Sequence, residues 1–142
     1  MKVFLVSFFV LFSFVIYAQE QNSKKLYSSY EGVEIYVSTK NCINKQQGIE
    51  KQIIVMELIN TNSFPVNFYS EKNLWFDNKC SNCDLNTKEN QINYIIESNS
   101  SIKGGCETKN KSLNLFVKML NLDNVRQLTK YELKNSKVEK IN

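Results

Sequence analysis

Apolar residues return at every second position through most of this chain, and that spacing is the period of a β-strand. Val33, Ile35 and Val37 alternate with Glu34, Tyr36 and Ser38. Ile53 to Ile59 is a nearly continuous β-branched run, the pattern of a central strand buried on both sides. Val66, Phe68 and their polar neighbours alternate again behind Pro65, which suits a strand start or a sheet edge because it has no N–H to give. Leu113, Leu115, Val117 and Met119 form another core-facing set. A last strand is expected around Tyr131–Leu133 or Val138–Ile141, after one helical turn near Asp123–Thr129. Turn-rich links separate these runs at Asn41–Gly48, Asn60–Ser63, Asp77–Asn90 and Ser98–Gly105. Residues 86–97 admit two readings: Ile92, Ile95 and Ile96 fit a helix face behind a capping box at Asn86–Glu89, whereas Ile92, Tyr94 and Ile96 alternate. The density of Ile and Tyr favours the strand. Six to seven short strands between turn signals predict an all-β fold, a single antiparallel β-sandwich.

The amino terminus reads as an address. Met1-Lys2 gives a positive start, Val3 to Ile16 is apolar apart from Ser7 and Ser13, and Tyr17-Ala18 gives way to Gln19-Glu20-Gln21-Asn22. This is the order of a secretory signal peptide over residues 1–18. An uncleaved anchor is the alternative, but the apolar run is shorter than the roughly 20 residues a spanning helix needs. Ile16 is large where a cleavage site usually has a small residue, whereas Ala18 suits its place. The expected organisation is a signal at 1–18, a flexible lead-in at 19–29 and one β-sandwich domain at 30–142, with the order of the polar tail from Ser136 left open by the sequence. The expected location is exported, secreted or periplasmic, with no membrane span once the signal is removed.

Composition excludes several chemistries. The chain of 142 residues has no histidine, which removes Ser-His-Asp and Cys-His nucleophiles, His-ligated zinc and a His general base. It has four glycines and no phosphate-cradling glycine loop. Its formal net charge of +4 is carried almost wholly by lysine, with Arg126 the only arginine, and no basic stripe is visible. Nucleic-acid readers favour arginine forks, so a nucleic-acid partner is not expected.

Cys42, Cys80, Cys83 and Cys106 are the chemically distinctive residues. Their even number in an exported chain predicts two disulfides, with three pairings open and one long-range bridge expected from Cys42 to either Cys80 or Cys106. Two sharper readings compete. Cys80-Ser81-Asn82-Cys83 has the spacing of a redox pair, which would need a helix from about Asp84 to lower a thiol pKa. The same pair is half of a zinc knuckle, but Cys42 and Cys106 do not supply the other half in sequence.

The aromatic set Phe64, Phe68, Tyr69, Trp75 and Phe76 reads first as core, with Phe64, Phe68 and Trp75 inside the sandwich. As a ligand platform it singles out Tyr69, Trp75 and Asp77. The carboxylates are scattered and no pair has glycosidase spacing; Asp77, Asn78, Asn82, Asp84 and Asn86 lack the regular spacing of a calcium loop. No catalytic residue, metal or cofactor is assigned. Asn99 and Asn110 head glycosylation sequons, which matter only in a eukaryotic secretory route.

Asn60-Thr61-Asn62-Ser63-Phe64-Pro65-Val66, an Asn-rich corner leading into a Pro-Val strand, is followed by a second corner from Ile96 to Cys106 before the strand Leu113–Met119. In this order the chain resembles small exported bacterial immunoglobulin-like β-sandwich proteins of unassigned function, over Gly32 to Leu120. It departs from antibody domains in lacking their long-spaced Cys-Trp-Cys pattern. The resemblance implies a binding or scaffold module. The expected function is therefore a disulfide-stabilised binding or structural module, with the loops Asn41–Gly48 and Asp77–Asn90 as contact surfaces and a protein or cell-surface glycan as partner. A thiol-disulfide oxidoreductase using Cys80 and Cys83, or a metal site on the same pair, is the alternative.

Overall fold

The computed structural model describes residues 23–83, 85 and 87–142; the expected signal, Asp84 and Asn86 lie outside these. Among the described residues the chain forms nine strands: β1 (Lys25–Tyr30), β2 (Val33–Asn44), β3 (Ile49–Asn60), β4 (Val66–Phe76), β5 (Lys79–Cys80), β6 (Gln91–Ile96), β7 (Ser101–Lys103), β8 (Asn114–Met119) and β9 (Leu128–Lys140). They build two antiparallel sheets packed as a sandwich, as the alternation predicts.

The first sheet runs β1-β2-β3, with β7 and β8 sharing the far edge of β3: Glu57–Ile59 pair with β7 and Lys51–Val55 with β8. The second is built around β4, which pairs with β9 along one edge and with β6 and then β5 along the other. Each sheet thus has one long central strand with an edge divided between two short ones. The inner faces follow from the period. Val33 and Ile35 of β2, Met56 and Leu58 of β3, Val66 and Phe68 of β4, Ile92 and Ile96 of β6, and Leu113 and Leu115 make one buried core. On β3 the outward residues Ile53 and Val55 are buried too, with Cys42, in a second small cluster. That strand is therefore covered on both sides, as its continuous apolar run implies.

Several boundaries differ from expectation. Residues 25–29 of the expected lead-in belong to β1, because Tyr27 stacks on Tyr131 with ring centroids 5.4 Å apart and its hydroxyl accepts from the Leu133 N–H. Polar spacing alone hid that anchorage. Asn41–Asn44, expected in a turn, extend β2; the reversal is a short 3-10 turn at Lys45–Gln47 closed by Gly48 in the left-handed region at φ 65°. The ambiguous 86–97 segment resolves as a 3-10 turn at Lys88–Asn90 followed by strand β6. The two alternatives for a last strand are one strand, β9, interrupted at Asn135–Ser136 where two residues oppose Ser70 of β4. Asn135 takes the left-handed region at φ 52° there. The extra residue shifts the phase, so Tyr131 and Leu133 before it and Val138 after it all pack on the core.

One pole of the sandwich is knitted by asparagines. The Asn60 N–H donates to the Ser100 carbonyl, the Asn99 N–H to Asn62, and the Thr61 N–H to Gly32. The two turn-rich corners read from the sequence, at 60–66 and 96–106, therefore meet in space.

Candidate functional site

The opposite pole collects the loops expected to make contacts. The β2–β3 reversal, the β4–β5 turn at Asp77–Asn78 and the β8–β9 segment all lie there, because β3 and β4 run in opposite directions between the poles. Backbone and side-chain bonds join them into one rim. The Leu120 N–H donates to the Glu50 carbonyl at 2.7 Å, and Asn121 Nδ2 to the Gly48 carbonyl at 3.2 Å. On the other flank the Asp77 N–H donates to the Gln127 carbonyl at 3.0 Å and the Gln127 N–H returns to Asp77 Oδ1 at 3.2 Å. Exposed large apolar side chains concentrate near these segments, with Ile43 and Ile49 flanking the β2–β3 reversal and Leu120 and Leu122 after β8; Phe116 within β8 is exposed too, and Leu85 lies in the β5–β6 loop.

Each of the two expected contact loops carries one disulfide. Cys42–Cys106 is the long-range bridge, with a Cα–Cα distance of 5.5 Å and a sequence separation of 64. Cys42 points outward from β2, and the bridge holds the β7–β8 loop over the outer face of the first sheet, where Ile53 and Val55 are buried. Gly104 fits in that loop because it lies against the Leu113 carbonyl and the Asn114 side chain; a Cβ there would collide with both. Its N–H donates to the Met56 carbonyl at 3.0 Å.

Cys80–Cys83 is the second bridge and closes the short loop after β5. It serves β4. Asn82, buried between the two cysteines, accepts the Leu74 N–H on Oδ1 at 2.7 Å and donates Nδ2 to the Lys72 carbonyl at 2.8 Å. One side chain thereby completes the β4 edge between the start of β6 and the end of β5. The redox reading needs a helix beginning after Cys83, and among the described residues only the three-residue turn Lys88–Asn90 follows before β6. The zinc reading needs free thiolates, and all four sulfurs are paired. Among the described residues no group of three or more metal-ligating side chains gathers elsewhere.

Tyr69, Trp75 and Asp77 do not converge. Tyr69 and Trp75 both face outward from β4, six positions or about 20 Å apart along the strand. Phe68 is fully buried and Phe64 packs against the core, but Trp75 is not a core residue: alternation turns it outward, where Lys130 Nζ sits 4.5 Å from its ring centre. Asp77 is a turn residue at φ 48° whose carboxylate holds the β8–β9 segment.

Tyr69 has company the sequence reading missed. Its hydroxyl donates to Glu71 Oε1 at 2.8 Å, and Asn135 Nδ2 donates to Glu71 Oε2 at 2.9 Å. The bond to the carboxylate raises the Tyr69 pKa above the ordinary tyrosine value, so the phenol stays a donor. Glu71 was legible as a same-face neighbour two positions on. Asn135 was not, except through the phase break between the two apolar sets of the last strand. On the other face of β4, Lys72 reaches inward and its Nζ donates to the Ser112 carbonyl at 2.8 Å. Burial lowers its pKa to about 8.

No protein-family model, curated protein or solved structure matches this chain. No described helix is long and apolar enough to cross a membrane.

Proposed function

We propose that this chain is an exported, disulfide-stabilised β-sandwich that binds a partner through the loops gathered at one pole. The observation that carries the reading is the gathering of exposed apolar side chains at one pole, flanked by the two disulfides: one ties the β7–β8 loop to the end of β2, and the other closes the loop after β5. Loops held in one conformation by covalent staples lose less entropy on binding than free ones. The two disulfides fit an oxidising compartment. Export through the segment 1–18, with the mature chain starting at Gln19, is the route this reading adopts.

The immunoglobulin-like reading has topological support. β3 pairs with β8 and β4 with β9, as strand B pairs with E and C with F in that architecture. It departs in the β1–β2–β3 meander and in the outer edge of β9, which has no strand partner among the described residues.

The test has two parts. The exported protein should have the mass of a chain beginning at Gln19 with no alkylatable thiol. A partner selected on the wild-type protein from a displayed peptide library should lose affinity at least tenfold with Ile43→Asp or Leu122→Asp. Unchanged affinity in both variants, each with a wild-type melting curve, removes the loops as the contact surface. Insulin-reductase activity that vanishes in Cys80→Ser would replace the binding reading with the oxidoreductase one.

A further inference from the structure

We infer that the outer face of β4 carries a groove for a neutral glycan, a site separate from the loop pole. Two adjoining cavities share Glu71. The larger, about 480 Å³, lies over the β4–β9 pair between Asn67, Tyr69 and Glu71 on one strand and Asn135, Lys137 and Glu139 on the other. Its size is within the range of small-ligand sites. The smaller, about 180 Å³, continues across β4 to Asn73, Asn90 and Gln91 beside Cys83.

The bulge in β9 makes this groove. At Asn135–Ser136 the extra residue bends the strand and aims the Asn135 amide at Glu71 rather than along the sheet. The Glu71 carboxylate is consequently fixed from both sides, with one protein donor on each oxygen. Each oxygen keeps acceptor capacity, so the pair presents two oriented acceptors to neighbouring hydroxyls. The amides around it both donate and accept, which suits groups that do the same. Tyr69 adds an aromatic surface for the C–H side of a pyranose.

Charge selects within this class. The lining holds one lysine, Lys137, and two carboxylates, Glu71 and Glu139, so it does not favour an anion, and the one arginine of the chain lies instead over Phe76. The cavity walls carry more polar than apolar groups, which disfavours a lipid chain. Asn73 adds a second observation. It is 6% exposed, lines the smaller cavity, and its Nδ2 has no partner among the described residues. A buried donor without an acceptor is costly; the atom is closed to solvent, so a sugar oxygen would satisfy it only where binding widens the smaller cavity.

The experiment is an array of neutral and acidic oligosaccharides probed with the full exported protein, followed by titration of the best neutral ligand. Glu71→Gln and Asn135→Gly each remove part of the recognition; the glycine keeps the left-handed backbone of the bulge. Each should weaken binding about tenfold or more with an unchanged melting temperature. Ile43→Asp at the loop pole should leave glycan binding unchanged, which separates this site from the one proposed above. Binding of no glycan by the wild-type protein, a preference for acidic glycans, or wild-type affinity in both groove variants overturns the inference. Loss of glycan binding in Ile43→Asp alone would assign the sugar to the loops, and the groove would again be overturned.

Discussion

Asn60 shows how one side chain can decide a corner. It is fully buried; its Nδ2 donates to the carbonyls of Phe64, Ile96 and Glu97 at 2.9–3.1 Å, and its Oδ1 accepts the Asn62 N–H. Asn60→Ala leaves those groups without their partner and should cost about 3 kcal/mol or more in urea unfolding, whereas Asn93→Ala on the exposed face of β6 should stay within about 0.5 kcal/mol. Asparagine at the end of a β-branched run reads as a turn former, and nothing in the residue string tells a turn asparagine from one that bonds a second corner 36 positions away. Lys72 is the complementary case, a charge turned inward where the alternation of β4 asks for an apolar residue. Its pKa falls from 10.5 to about 8 on folding, so the unfolded chain holds more protons between those values and stability from this site rises with pH across that window. The cost of its charge is full below about pH 8 and is relieved above it. Lys72→Met should therefore be more stable than wild type at pH 7, by about 1–3 kcal/mol, and the difference should shrink by pH 10. Urea midpoints of the two proteins at both pH values check this. A difference that grows with pH contradicts the assignment.

At the level of elements, the two disulfides should contribute unequally. In the chain-entropy view a bridge spanning 64 positions stabilises by about 4 kcal/mol and one spanning three by about 2 kcal/mol. The double variant Cys42→Ala/Cys106→Ala should accordingly lower the urea midpoint about twice as far as Cys80→Ala/Cys83→Ala. Graded dithiothreitol followed by peptide mass mapping should open Cys80–Cys83 first, since neither of its cysteines is buried, whereas the other bridge joins exposed Cys106 to buried Cys42. Strands were the most legible part of the chain, because a buried face writes itself as alternation: β3, β4 and β8 follow directly from Ile53–Ile59, Val66–Phe68 and Leu113–Met119. Strand ends were not. Asn41–Asn44 looked like a turn because asparagines stand at both ends and, apart from Cys42, their side chains are exposed, which leaves no alternating apolar pattern. The bridge from Cys42 could be narrowed to two partners, and the choice of Cys106 depended on β7 and β8 sharing one edge of β3, a pairing invisible to local spacing. The groove was half legible for the same reason. Tyr69 and Glu71 sit two apart on one strand, whereas Asn135 reaches them only through the β4–β9 pairing.

The whole molecule has one long strand at a boundary. β9 pairs only with β4 among the described residues, and it carries Lys130, Lys134, Lys137 and Lys140 together with the Asn135 bulge. Lysines and a bulge are the usual guards of an edge that could otherwise pair with another chain. Tyr27 adds a cover by accepting the Leu133 N–H from across the sandwich. Lys130→Thr/Lys134→Thr should raise the apparent mass of a concentrated sample in size-exclusion chromatography with light scattering, and wild-type behaviour in that variant would show that the bulge and Tyr27 suffice. The sandwich class was readable from strand number and period, but the way each sheet divides one edge between two short strands was not, since it depends on where the chain crosses between layers. The Cys42–Cys106 loop has a practical consequence for anyone who produces this protein. In a reducing cytosol the chain would assemble its sheets yet leave Ile53 and Val55 under a loop free to lift, a sticky stripe on an otherwise finished molecule. Material from such a host would then be prone to clump for reasons unrelated to its native behaviour, and the oxidant in the refolding buffer becomes as much a part of the protein as its residues.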